Sequence, residues 1–262
     1  MKVSPLRSRP MTSDPPDSLL TDSTQAVPQP TLRGLLDADS CDVLLIRHGR
    51  SADVIPGTAE SADPPLHTVG HAQAAALVAR LAPVTLHGVY SSHLARAVQT
   101  AQPLADARGL TLDVFDDLRE VDLGDWSNGE FRRRAATQDP EFMAWTLTGR
   151  WDGIPACEGD DALRSRFAAV IDVVAARHAG NRIAVVAHGG AINAYLSHVL
   201  GVHRSLWMTV ENTSITLVRL HPTQGSTVVS INDCHHLYDP IVETSPLDRC
   251  GVGARPIRSP HG

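Results

Sequence analysis

Between residues 41 and 237, short apolar runs of strand length alternate with stretches whose apolar residues recur at the helical period. Residues 43–46, 88–90, 111–114, 183–187, 215–220 and 228–231 read as strands. Thr68–Leu81 reads as a helix with an alanine-rich apolar side, and a second helix after Tyr90 places Leu94, Val98, Ala101 and Ala105 on one stripe. Leu163, Phe167, Val170 and Val174 form the buried stripe of another helix, and Ile192, Tyr195, Leu196 and Val199 that of a last one. Residues 116–155, which carry Trp126, Trp145 and Trp151, read as an irregular and helical excursion. Strands separated by helices require crossover connections, which lay parallel strands side by side and cover both faces of the sheet. The pattern predicts a three-layer α/β/α sandwich around a mostly parallel central sheet.

A chain of 262 residues is long enough for one substantial core. Residues 1–34, rich in Pro, Ser, Thr and Asp, bury too little apolar area to offset the entropy of ordering and read as a disordered leader. Residues 35–240 read as one domain and 241–262 as a C-terminal tail. The net charge of -6, with no strong basic run, argues against a nucleic-acid partner. Arg132, Arg133 and Arg134, beside Glu130 and Asp139, read as a solvated helix face, with recognition of a second anionic group as the alternative. Cys41, Cys157, Cys234 and Cys250 form neither close pairs nor a disulfide framework, which points to a reducing compartment. No apolar run reaches membrane-spanning length, so the expectation is a cytoplasmic protein with no membrane partner.

In a parallel sheet, ligands collect beyond the carboxyl ends of the strands. His48 and His188 both follow strands there, and each is succeeded by glycine. Glycine permits a tight turn or close backbone approach, and exposed amides at a following helix start would favour an anion. Arg47 adjoins the first histidine, and Arg96 lies near the start of the helix after Ser91 and Ser92. Two arginines facing one phosphoryl group supply forked donors and neutralise charge that would repel a nucleophile. Asp233, Cys234, His235 and His236 match no common zinc spacing, adjacent strand residues point to opposite faces, and no metal or other cofactor is implied.

The segments Leu45-Ile46-Arg47-His48-Gly49-Arg50-Ser51, 63–74, Tyr90-Ser91-Ser92-His93-Leu94-Ala95-Arg96, Leu118-Arg119-Glu120, Val185-Val186-Ala187-His188-Gly189-Gly190 and 211–216 occur in an order that resembles the histidine phosphatase superfamily, which includes the phosphoglycerate mutases. The resemblance implies a phosphoglycerate mutase-like fold and phosphoryl transfer through His48 as nucleophile. Arg47, Arg96 and His188 are implied as the phosphate pocket, and Glu120 as proton donor to the leaving oxygen, with Asp122 and Asp125 its nearest competitors in sequence. Ser51, Ser92, Gly189 and Thr213 are further pocket candidates. Ser92 serves equally as a helix cap, and Thr213 as a buried strand residue. Glu158 matches an acidic position where stabilising a helix N-terminus competes with catalysis.

The implied partner is a small-molecule phosphate ester, and homo-oligomer formation stays open. Phosphoglycerate mutases typically carry asparagine where this chain has Val54, so a polar anchor is missing and water becomes the favoured acceptor. The expected activity is thus that of a phosphomonoester hydrolase. Mutase-type transfer and a non-catalytic interaction module of the same fold are the alternatives.

Overall fold

The computed structural model describes residues 39–238. The expected leader 1–34 and tail 241–262 lie outside the described residues. In chain order the elements are β1 (Cys41–Arg47), α1 (Thr68–Leu81), β2 (Gly88–Ser92), α2 (Ala95–Asp106), β3 (Leu112–Phe115), α3 (Glu130–Ala136), α4 (Pro140–Thr148), α5 (Asp160–Ala176), β4 (Arg182–Ala187), α6 (Gly189–Leu200), β5 (Ile215–His221) and β6 (Gly225–Asp233). The sheet runs β3-β2-β4-β1-β5-β6. The pairs β2–β3, β2–β4 and β1–β4 are parallel, whereas β5 and β6 close the sheet antiparallel.

Alternation along the central strands builds the three layers. Val43, Leu45, Ile183, Val185 and Ala187 enter a core with Leu163, Phe167 and Ile171 of α5 and Ala191 and Ile192 of α6. Leu44, Ile46, Ala184 and Val186 enter the opposite core with Leu77 and Leu81 of α1 and Ala97, Ala101 and Leu104 of α2. A strand buried on both faces reads as an unbroken apolar run, which is why β1 and β4 are conspicuous in the sequence. The predicted stripe of α2 is displaced. Ala97, Ala101, Leu104 and Ala105 are buried together with Arg96 and Thr100, while Val98 is only partly buried and Leu94 is the N-cap residue. The helix turns these two polar residues toward the loop after β1, and that orientation fixes its apolar face.

Near the start of β1, Asp42 is level with Arg182 of β4 and Arg219 of β5. Arg182 Nη2 donates to its carboxylate at 2.8 Å, and Arg219 Nε and Nη2 donate from the other side. Burial opposes the charged form of Asp42, yet the two guanidinium groups hold its pKa below the usual value. This ion triad pins the register of three adjacent strands.

At the other end of β1 the chain passes close over α1. A Cβ added to Gly70 would lie 2.1 Å from the Arg50 carbonyl oxygen, and one added to Gly49 would lie 2.7 Å from the Gly70 carbonyl oxygen. These glycines are set by backbone proximity, since neither has a positive φ. Backbone offers no flexible end that can move aside. Gly70→Ala is therefore expected to destabilise the domain by about 1–3 kcal/mol, the usual range for overpacking. Urea denaturation would check this: an unchanged midpoint and slope would show that the loop after β1 yields freely.

Candidate active site

The parallel pairing of Arg47 with Ala187 ends β1 and β4 together, and His48 N donates to the Ala187 carbonyl at 2.9 Å. His48 and His188 consequently leave the sheet side by side, ring centroids 5.0 Å apart. Both are buried. His48 Nδ1 donates to the Gly49 carbonyl at 2.7 Å, which assigns the ring proton to Nδ1 and a lone pair to Nε2. Arg96 Nε donates to that Nε2 at 3.3 Å. Asn212 Nδ2 donates to the His48 carbonyl at 2.8 Å and ties this backbone to the segment before β5.

Burial is the largest cause holding both imidazoles well below the usual histidine range. Arg96 and Arg47 push each the same way, whereas the Gly49 carbonyl partly opposes the shift in His48. Two neutral imidazoles beside two guanidinium groups result. His188 Nε2 lies 2.9 Å from Ser92 Oγ, which also accepts from Leu94 N at 3.3 Å. The Ser92 hydroxyl keeps a second lone pair as well as its proton, so it pairs with Nε2 of either His188 tautomer. Buried Nδ1 has no hydrogen-bond partner among the described residues.

Each arginine is held by the fold. Arg47 Nη1 donates to the Val210 carbonyl, and its side chain runs beside the first turn of α6, within ordinary contact of Gly189. Asp63 accepts Ala95 N at the start of α2 and lies 3.6 Å from Arg96 Nη1. Thr100 Oγ1 accepts Gly49 N at 2.9 Å and donates to the Arg96 carbonyl at 2.7 Å, linking the His48 loop to α2.

The backbone amides expected to receive an anion are already occupied. Gly49 N donates to Thr100 and Arg50 N to Gln73. At the start of α6, Gly190 N donates to Glu120 Oε2 at 3.0 Å and Ala191 N to Glu120 Oε1 at 2.9 Å. The acceptor at this helix N-terminus is thus the chain's own Glu120 side chain, so a phosphoryl group would face side-chain cations instead. Val121 N also donates to Oε1, at 3.0 Å. A Cβ on Gly190 would lie 2.6 Å from that Oε1 and 2.7 Å from the Trp151 ring, so only glycine lets the carboxylate sit so close.

Other candidates sort differently. Ser51 pairs with Leu66 and accepts Arg132 Nη2 at 3.0 Å. Arg132 also donates to the Ala52 carbonyl and contributes to the depressed pKa of His48. Its exposed side chain stands at the rim of the site, which corrects the reading of all three arginines as one solvated face. Arg133 matches that reading, exposed and paired with Glu130, whereas Arg134 is largely covered, lies over the Trp126 ring and pairs with Glu130, Asp139 and Glu141. Thr213 has φ 54° and turns its hydroxyl to His236 Nε2 at 3.0 Å. Glu158 neither caps α5 nor reaches the histidines; it accepts Asp122 N and pairs with Arg166. His235 and His236 lie in a turn beyond β6, so strand alternation does not apply to them.

Trp126, Trp145 and Trp151 are buried, and Phe131 and Phe142 pack against them as a continuous aromatic cluster rather than as exposed ligand contacts. No described helix is long and apolar enough to cross a membrane. Thr100, Asn212, Asp63 and Arg132 act on the site from distant positions; Asp63 and Asn212 fall within the family-like segments, but nothing local in the sequence assigns any of these contacts.

Residues 43–234 match the model of the histidine phosphatase superfamily (branch 1). The chain is 30% identical over 215 residues to the probable phosphoglycerate mutase GpmB of Yersinia pestis, covering 77% of this chain and 97% of the relative. It is 29% identical over 205 residues to phosphoglycerate mutase-like protein 4 of Arabidopsis thaliana, covering 77% and 89% respectively. Among solved structures, mycobacterial hydrolase 1 aligns with a TM-score of 0.63 at 25% identity, over 74% of this chain and 98% of that one.

The buried histidines give the site a defined acid response. Below the ordinary histidine value of 6.5, an unfolded chain takes up protons that folded His48 and His188 resist. Stability therefore falls as pH drops through 6.5 and stops falling only below the depressed folded values. His178 and His236 are lowered too, so each substitution removes only part of the slope. Thermal unfolding between pH 8 and pH 5 should show less acid destabilisation in His188→Gln than in the parent; an equal slope would place His188 in an ordinary solvated state.

Proposed function

The chain belongs to the histidine phosphatase superfamily, and from that premise we propose that it hydrolyses small phosphate monoesters through a phosphohistidine formed on His48. The observation that carries this reading is the neutral His48 ring, with its proton committed to the Gly49 carbonyl and its Nε2 lone pair beside Arg96 and His188. The superfamily unites phosphomonoesterases and mutases of small phosphorylated metabolites. Water is the favoured acceptor here because Val54 supplies no polar anchor for a returning acid.

In the first step, Arg96 shifts its N–H from His48 Nε2 to a phosphoryl oxygen, and Arg47 binds another. His188, in the tautomer that accepts the Ser92 hydroxyl proton at Nε2, donates from Nδ1 to a third. The Nε2–P bond forms as the P–O bond to the alcohol breaks, and the leaving oxygen takes a proton from Glu120. Oε1 of Glu120 receives amides from both Val121 and Ala191, whereas Oε2 receives only Gly190 N. Oε2 has the remaining lone pair and is the atom that holds the transferable proton. In the second step, the Glu120 carboxylate takes a proton from water as water attacks phosphorus. The P–N bond then breaks, returning the electron pair to His48 and releasing inorganic phosphate.

The mutase reading draws support from the relatives named as phosphoglycerate mutases. Rapid quenching with a phosphorus-labelled ester distinguishes the two readings. The expected result is acid-labile label on the parent, none on His48→Ala with its circular dichroism retained, and decay mainly to inorganic phosphate with phosphoglycerates present. Label persisting in His48→Ala would remove His48 as nucleophile, and predominant transfer to phosphoglycerate would establish the mutase.

A further inference from the structure

The carboxylate of Glu120 is fixed by the start of α6, but its backbone is fixed by something else. Residues 116–122 connect β3 to the irregular segment below the site, and no regular ladder holds them. Arg166, inside α5, reaches under this segment. Its Nη1 donates to the Asp117 carbonyl at 2.7 Å and the Arg119 carbonyl at 2.9 Å. Its Nη2 donates to the Glu120 carbonyl at 3.0 Å. The remaining fork grips Glu158, with Nε to Oε2 at 2.9 Å and Nη2 to Oε1 at 2.6 Å.

Glu158 completes the circuit by accepting Asp122 N at 2.8 Å. The two side chains are only 10% and 12% exposed. Backbone on both sides of Glu120 is therefore tied to one planar cation, whose own orientation is set by a bidentate carboxylate. A surface ion pair that merely decorated α5 would not direct its donors at three carbonyls of a separate loop.

We infer that Arg166, oriented by Glu158, is a positioning residue that holds Glu120 at the correct distance from the leaving oxygen. This rests on the proposed role of Glu120 as proton donor. Arg166 itself touches neither His48 nor the phosphoryl group. Its contribution lies in the step where the P–O bond breaks and the alcohol oxygen receives the Glu120 Oε2 proton. Lysine at this position keeps the charge but lacks the planar fork, so it can hold Glu158 or the carbonyls but not the whole set.

Proton transfer governs departure of an alkoxide and matters little for a nitrophenolate, which separates positioning from general damage. The test compares kcat/KM for glycerol 3-phosphate and p-nitrophenyl phosphate in the full chain and in Arg166→Lys, Glu158→Asp, Glu120→Gln and Arg166→Lys/Glu120→Gln. Misplacing the acid should reduce alkyl-ester turnover by about ten- to a hundredfold more than nitrophenyl-ester turnover. The double variant should show no more selectivity than Glu120→Gln alone, because both changes disable one proton transfer. Equal losses on the two esters in Arg166→Lys and Glu158→Asp, with Glu120→Gln remaining selective, would overturn the positioning role and leave a structural pair. If Glu120→Gln is itself unselective, the proton-donor reading fails first, and the inference with it. Where Arg166→Lys does not fold, Glu158→Asp alone decides between selective and uniform loss; failure of both to fold would make the pair structural.

Discussion

Asp42 stands between Arg182 and Arg219, level with each in the adjoining strands, and the position of the active-site histidines follows from that alignment. Moving β1 by one residue would take a mostly buried carboxylate away from both partners and would also turn its side chains to the wrong faces. The same ladder, followed to the far end of the strands, sets Arg47 opposite Ala187 and carries His48 and His188 out of the sheet together. Apolar burial stabilises the three layers, but it discriminates weakly between registers when both faces are apolar. The ion triad supplies a directional preference that the valines and isoleucines lack.

The site combines cations with suppressed protonation. Arg47 and Arg96 are retained near the histidines by backbone carbonyls, Asp63 and Thr100, while desolvation keeps His48 and His188 neutral. A cationic imidazole could not attack phosphorus, so the environment that makes protonation costly also preserves the lone pair. In the proposed mechanism an arriving phosphate dianion favours a proton on His188, whose Nδ1 is unpartnered among the described residues, more usefully than on His48, whose lone pair must attack.

In the proposed mechanism the start of α6 serves structure and chemistry together. Helix amides require acceptors, and Glu120 supplies them from a remote loop, leaving one oxygen with a vacant lone-pair direction. Gly190 makes room for the carboxylate, and the aromatic cluster around Trp126, Trp145 and Trp151 supports the adjoining chain. Arg132 reaches back from that excursion to Ser51 and Ala52, so the segment between β3 and α5 contributes charge to the rim as well as hydrophobic support.

The order of the strands and of the four longer helices, the covering of both sheet faces and the strand-end positions of His48 and His188 were legible in the sequence, because each depends on local periodicity; the short helices α3 and α4 and the buried side of α2 were not. Arg96 was legible from its place at a helix start and motif resemblance added Glu120; the fold brings both side chains to the neighbourhood of these histidines. The amide ligands of Glu120, the Asn212 bond to His48 and the Arg166 contacts to residues 117–120 were not legible, since they join residues far apart in the chain. The same is true of Arg132: helical spacing alone cannot distinguish its direction from those of Arg133 and Arg134. Thus the sequence by itself determined the alternating layers and the chemical groups at the strand ends; tertiary structure decided their register, protonation and hydrogen-bond partners, because burial and directional contacts exist only after distant segments have packed together.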